Sequence, residues 1–269
     1  MLALSNRFVF EGSEIAWGTL GEGVPLVLLH GTPFSSQVWR RIAPWLARNR
    51  RVFFYDLLGY GQSAKPDGDV SLGMQNRLMV AMLREWRLDR PEVVAHDFGG
   101  TTALRAHFLD GIDYAALTLI NPVAIAPQGS PFVVHVGRHE AAFTGLPAYA
   151  HRALISAYLQ NAAVRPLTEE ALTVYREPWL GHAGQAAFYR QIAQMKQRYI
   201  EEVEERYAKP PFPVQIVWGR NDAWIAIEQG QKLADRIAGG TLIAVPDAGH
   251  LVHEDAPEAI VAAVLARSS

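Results

Sequence analysis

Three side chains in this sequence are of the right type to make and break a carbon–oxygen bond together: Asp97, Asp222 and His250. The first sits at the tip of Val93-Val94-Ala95-His96-Asp97-Phe98-Gly99-Gly100, a short apolar run that breaks into a Gly-terminated turn before a helical pattern begins at Thr101. This is the strand–turn–helix setting of a nucleophile elbow, and the residue at the tip is usually Ser. A carboxylate there attacks carbon directly and leaves an ester on the protein. Asp222 follows the run ending Trp218-Gly219-Arg220-Asn221, and His250 follows Val245-Pro246-Asp247-Ala248-Gly249, so chain order is nucleophile, acid, base. His30-Gly31-Thr32-Pro33 adds a backbone N–H at Thr32 that, with that of Phe98, forms an expected oxyanion hole. Asp is common in ordinary turns. Three groups convergent in order at strand ends favour chemistry over that reading. His30 and His96 are read as loop supports that bond backbone groups. His253 is read as a solvated helix-start residue, Asp56 as a cap on its Gly-rich loop and Trp39 as core.

The elements that must carry these groups follow from periodicity. Segments 7–10 and 14–18 read as an antiparallel edge hairpin around Gly12-Ser13. Segments 25–29, 51–55, 93–95, 115–120, 213–218 and 241–245 read as further strands, the first of them apolar throughout and so buried on both faces. Helices are expected at 37–47, 71–86, 101–109 and 257–267. Such alternation specifies a mostly parallel eight-stranded sheet with helices on both faces. Sites in these sheets lie at the carboxyl ends of the strands. The alternation stops between residues 122 and 210, where only helical segments appear, near 147–159, 169–175 and 183–207. The expected organisation is therefore core 1–121, inserted helical cap 122–210, and core 211–269. The charge-dense stretch 198–206 reads as a solvated helix face.

Composition excludes several function classes. The 269-residue chain is 49% hydrophobic and 19% charged with a net charge of -2, which offers no electrostatic reason to bind nucleic acid or a membrane surface. It has no cysteine, so disulfides, thiolate metal sites and a Cys nucleophile are ruled out. No His/Asp/Glu cluster has metal-ligand spacing and no Gly-rich turn carries a phosphate-loop Lys, so no metal and no cofactor are expected. The N-terminus lacks the pattern of a signal peptide and no apolar run reaches membrane-spanning length. A cytoplasmic protein, monomer or homodimer, acting on a small apolar organic molecule is expected.

In His30-Gly31-Thr32-Pro33-Phe34-Ser35-Ser36-Gln37-Val38-Trp39-Arg40 and in Asp56-Leu57-Leu58-Gly59-Tyr60-Gly61-Gln62-Ser63-Ala64-Lys65-Pro66 the chain is similar to haloalkane dehalogenases. Ala95-His96-Asp97-Phe98-Gly99-Gly100 is closer to epoxide hydrolases. Together these segments resemble the Asp-nucleophile branch of the α/β-hydrolases, across the whole core but not the cap. The resemblance implies attack by Asp97 on an sp3 carbon, then hydrolysis of the ester by water that His250, oriented by Asp222, deprotonates. Dehalogenases commonly hold halide with a Trp after the nucleophile and often an Asn in the His-Gly-x-Pro slot; here those positions are Phe98 and Thr32, and Phe has no N–H donor. Fluoroacetate dehalogenases carry Arg where Phe98 and Thr101 stand. Epoxide hydrolases need Tyr acids from the cap, which offers Tyr149, Tyr158, Tyr175, Tyr189, Tyr199 and Tyr207; position along the cap favours Tyr149 and Tyr189, with Trp179 as a halide or substrate contact. Each of these Tyr also has a packing role as its alternative. Epoxide opening thus stands ahead of carbon–halogen hydrolysis, with hydrolysis of another small apolar substrate and a non-catalytic ligand-binding protein as further alternatives.

Overall fold

The computed structural model describes residues 1–266. Eight strands form one sheet in the order β1-β2-β4-β3-β5-β6-β7-β8. They are β1 (Asn6–Phe10), β2 (Ser13–Leu20), β3 (Val24–Leu29), β4 (Arg50–Tyr55), β5 (Glu92–His96), β6 (Ala116–Ile120), β7 (Val214–Gly219) and β8 (Leu242–Val245). Pairing is antiparallel between β1 and β2 and between β2 and β4, and parallel from β4 to β8. The centre of the sheet is apolar on both faces: Leu26, Val27, Leu28 and Leu29 of β3 and Val93, Val94 and Ala95 of β5 are fully buried. That burial is what a strand covered by helices on both sides requires.

The helix Phe98–Asp110 starts directly from the tip of β5 and ends at Gly111, whose φ of 71° closes it. The N–H of Ile112 bonds the Ala106 carbonyl there, satisfying an otherwise unpaired end group. The helix expected over 37–47 is instead a 3₁₀ segment, Ser36–Arg41, followed by the short helix Ala43–Leu46, which has Pro44 in its first turn. Proline lacks the N–H that a continuous helix through that point needs. The last helix is described from Pro257 to Ala266; Arg267, its expected last residue, lies outside the described residues.

Between β6 and β7 the chain runs through helices only, with no strand among the described residues. Two of them, Pro131–Arg138 and Glu140–Thr144, fall where periodicity indicated none. The helix expected over 183–207 is split into Gly181–Ala193 and Arg198–Glu204. Side chains at the break tie it to different loops. Gln194 accepts from the Val70 N–H at 2.8 Å, and Gln197 accepts from the Gln128 N–H at 2.9 Å. No helix among the described residues is long and apolar enough to cross a membrane.

Candidate functional site

Asp97 terminates β5 in a backbone conformation that L-residues seldom adopt, with φ 51° and ψ -118°. Such strain persists only where the surroundings over-determine it. Here small neighbours do so. A Cβ at Gly99 would strike the carbonyls of Leu29 and His30, and a Cβ at Gly31 would strike the Asp97 side chain itself. The absence of both lets β5 turn sharply and press its carboxylate against the end of β3. There the Thr32 N–H donates to Asp97 Oδ1 at 2.7 Å. The second oxygen, Oδ2, faces His250 Nε2 at 3.5 Å. The two oxygens of one carboxylate are thus differentiated, one held by an amide and the other open toward the imidazole.

His250 lies between two carboxylates. Its Nδ1 donates to Asp222 Oδ2 at 2.9 Å. Asp222 is fixed in turn by three further donors: Asn121 Nδ2 at 2.6 Å, the Trp224 N–H at 2.7 Å and the Ile225 N–H at 2.9 Å. Burial disfavours the imidazolium, but the charges of Asp222 and Asp97 outweigh it and hold the His250 pKa up at about 10. Asp222 shows the converse. Burial alone would raise its pKa, yet the His250 charge and the hydrogen bonds bring it below the usual carboxylate range. At neutral pH the resting site is therefore an imidazolium between carboxylates.

His96 Nε2 donates to the His250 carbonyl at 3.1 Å, steadying the loop that carries His250. Burial and the nearby imidazolium push its own pKa down to about 3, so it is neutral. His30 Nε2 accepts from the Leu57 N–H at 2.9 Å, joining the loops after β3 and β4, and burial holds its pKa below the ordinary value. Asp56 serves the same junction by accepting from the Ser36 and Gln62 N–H groups, both at 2.7 Å. His253, expected in solvent, is instead fully buried, its ring 4.5 Å from Trp39 and 4.6 Å from His96. The neighbouring Asp255 explains this position. Its carboxylate accepts from the N–H groups of Gly249, Val164 and Arg165 and draws the short helix Val252–Asp255 inward.

A cavity of about 70 Å³ opens at Asp97. Leu72, Val123, Ile200 and Ile225 give it apolar walls, and Thr32, Phe98, Tyr158 and Trp224 surround the carboxylate. Here the cap residues need correction. Tyr149 is 79% exposed and faces away from the cavity. Tyr189 is buried with its hydroxyl on His151 Nδ1 at 2.9 Å, within the helical layer. Trp179 Nε1 donates to the Pro33 carbonyl at 2.7 Å, so its ring N–H is committed to the protein. The aromatic hydroxyl that lines the cavity with Asp97 is Tyr158. Among the described residues nothing hydrogen-bonds that hydroxyl. Burial, then the Asp97 charge, raise its pKa far above the ordinary value, so it stays protonated.

Tyr158 is one of the six cap candidates, but Trp224 was not expected at the site. It stacks on Tyr158 at 4.7 Å and 14°, and its ring lies 4.8 Å from that of His250, so it stands between Tyr158 and His250. Helical periodicity holds a signal for Tyr158. His151, Ile155 and Leu159 are the buried face of the helix Ala148–Gln160. At about 100° per residue Tyr158 lies about 60° from the centre of that face and Tyr149 about 120°, on the opposite side of the helix from Tyr158. Asn121 and Trp224 carry no comparable local signal beyond standing at or just past strand ends. No group of three or more His, Asp or Glu among the described residues is placed to hold a metal ion.

The chain is similar to several known proteins. The sequence pattern of the family described as "Alpha/beta hydrolase family" matches residues 26–263. An alpha/beta hydrolase fold protein from Burkholderia ambifaria, solved by crystallography, superposes with a TM-score of 0.98 at 74% identity over 98% of both chains. A 2-hydroxy-6-oxo-6-(2'-aminophenyl)hexa-2,4-dienoic acid hydrolase from Metapseudomonas resinovorans is 26% identical over 98% of this chain and 90% of its own length. A soluble epoxide hydrolase from Corynebacterium sp. (strain C12) is 28% identical over 95% of this chain and 94% of its own.

Proposed function

Given that this chain belongs to the α/β-hydrolase family, we propose that it is an epoxide hydrolase working through an ester on Asp97. The observation that carries this reading is Tyr158, which lines the same cavity as Asp97, with its hydroxyl protonated and without a hydrogen-bond partner among the described residues. Asp97 Oδ2 attacks an epoxide carbon, the carbon–oxygen bond opens, and the ring oxygen takes the Tyr158 proton. The ester has no charge, so His250 loses one of the two carboxylates that hold its extra proton. That proton returns through solvent to the tyrosinate and leaves a neutral imidazole. His250 then takes a proton from water, and the hydroxide adds to the Asp97 carboxyl carbon. The oxyanion forms on Oδ1, facing the Thr32 N–H and beside the Phe98 amide. Collapse releases a diol and restores the carboxylate beside an imidazolium. The helices from Pro131 to Glu204 act as the lid over this site.

Halide displacement is the weaker reading, because the indole N–H groups beside the site are committed. Trp179 donates to Pro33, Trp224 donates to Asn161 Oδ1 at 2.9 Å, and Phe98 has none. The test is to incubate the His250→Ala variant with 1,2-epoxybutane and with 1-bromobutane and to weigh the protein. The expected result is an epoxide-derived adduct on Asp97. Tyr158→Phe is expected to slow its formation about a hundredfold, within the range for loss of a general acid, whereas Tyr149→Phe leaves it unchanged. Ligand binding with no adduct from either compound would refute the proposal and favour a binding protein.

A further inference from the structure

Two side chains of the helical layer grip consecutive residues of the loop that supplies the Thr32 amide. Trp179 Nε1 donates to the Pro33 carbonyl at 2.7 Å. Gln191, on the helix Gly181–Ala193, accepts the Thr32 hydroxyl proton at 2.7 Å through Oε1. The same oxygen accepts from the Tyr60 hydroxyl at 2.9 Å. Gln191 is 2% exposed, and its Nε2 is buried with no hydrogen-bond partner among the described residues. A buried amide left half-satisfied is costly, and helix packing alone would be better served by an apolar side chain. The retained oxygen therefore points to a role at Thr32.

We propose that Gln191 is a positioning residue for the oxyanion hole: by anchoring the Thr32 side chain it aims the Thr32 N–H at Asp97 Oδ1, so the hole is complete only with the lid helix seated. The peptide that carries that amide is also held at its other end, where the Gly31 carbonyl accepts from the Phe34 N–H and from His30 Nδ1, both at 3.0 Å; Gln191 adds the hold on the Thr32 side chain. The inference rests on the ester mechanism above, and it assigns the effect to one step. While Asp97 attacks, the bond to Oδ1 weakens as that oxygen loses charge. When water adds to the ester, Oδ1 gains a full charge and the bond strengthens. Only a bond stronger in the transition state speeds its step. Misaiming the amide should therefore slow ester hydrolysis and spare ester formation.

Gln191→Leu and Thr32→Val each remove the anchor while keeping the Thr32 N–H. Two readouts apply. In the first, proton NMR of the Thr32 amide without substrate is expected to find a strongly downfield, slowly exchanging signal, displaced upfield in both variants. In the second, quenched single turnovers with 1,2-epoxybutane, followed by protein mass, are expected to show ester hydrolysis about ten- to a hundredfold slower, formation changed less than about threefold, and a double variant no slower than the slower single one. An unmoved Thr32 amide signal in folded variants overturns the inference whether or not the substrate reacts. Equal slowing of both steps also overturns it, since that marks a loosened lid. A displaced signal together with no adduct on Asp97 in the His250→Ala variant would instead sink the ester mechanism.

Discussion

Replacing Asp97 with Asn tests whether the proposed nucleophile controls the protonation of the proposed base, His250. Asn is neutral and nearly isosteric with the carboxylate, so it mimics the charge of the proposed ester without any substrate. In the resting protein Asp97 Oδ2 stands 3.5 Å from His250 Nε2. At that distance an effective dielectric of about 20 gives about 5 kcal/mol of attraction. Spreading both charges over their groups lengthens the separation and brings this nearer about 3 kcal/mol. Removing it should lower the His250 pKa by about 2–3 pH units. The expected titration therefore falls from about 10 to about 7–8 in Asp97→Asn, with Asp222 still in place. The assay follows the His250 ring carbons by NMR between pH 5 and pH 11, assigned by comparison with His250→Gln. A variant that still titrates above pH 9 would refute the reasoning, because an imidazole that stays cationic beside a neutral residue 97 cannot deprotonate water at neutral pH. A wild-type His250 titrating near 6.5 would refute it from the other side, by denying the imidazolium in the resting site.

The same shift carries a stability consequence. The folded pKa of about 10 lies above the ordinary 6.5, so the stabilisation is fully present below pH 6.5 and is lost as pH rises through 10. Its ceiling is about 5 kcal/mol; urea midpoints are expected to fall from pH 7 to pH 10, with a shallower fall in His250→Gln. A midpoint that rises over that interval contradicts the assignment. Gly31→Ala places a methyl group against the Asp97 side chain, and diol formation is expected to drop about a hundredfold or more as the carboxylate is displaced. Circular dichroism should show the fold retained; undiminished activity would mean that the close approach at residue 31 is unimportant.

Much of this molecule is written locally. The inner strands β3, β5 and β6 are short, largely apolar runs buried on both faces, whereas the edge strand β1 alternates half-buried and exposed residues, and each pattern places its strand. Asp97, Asp222 and His250 stand at or just beyond the ends of such runs, so a parallel sheet gathers them at one edge whatever the rest of the chain does. Gly31 and Gly99 are legible for the same reason, because close backbone approach needs a residue without a side chain. The lid is different. Tyr149, Tyr158 and Tyr189 have the same chemistry, and only the way their helices roll onto the sheet decides which hydroxyl meets the cavity, which meets His151 and which meets water. Likewise Gln191 reaches Thr32 across 159 residues of chain, and His253 is buried because Asp255 gathers backbone donors from two separate loops. Sequence by itself determined the sheet and the groups carried on its strand ends, since those follow from neighbours along the chain. Tertiary packing decided which side chains of the helices between β6 and β7 face Asp97: periodicity sets which of them share a helix face, but which face meets the carboxylate depends on helix rotation and on contacts with distant segments.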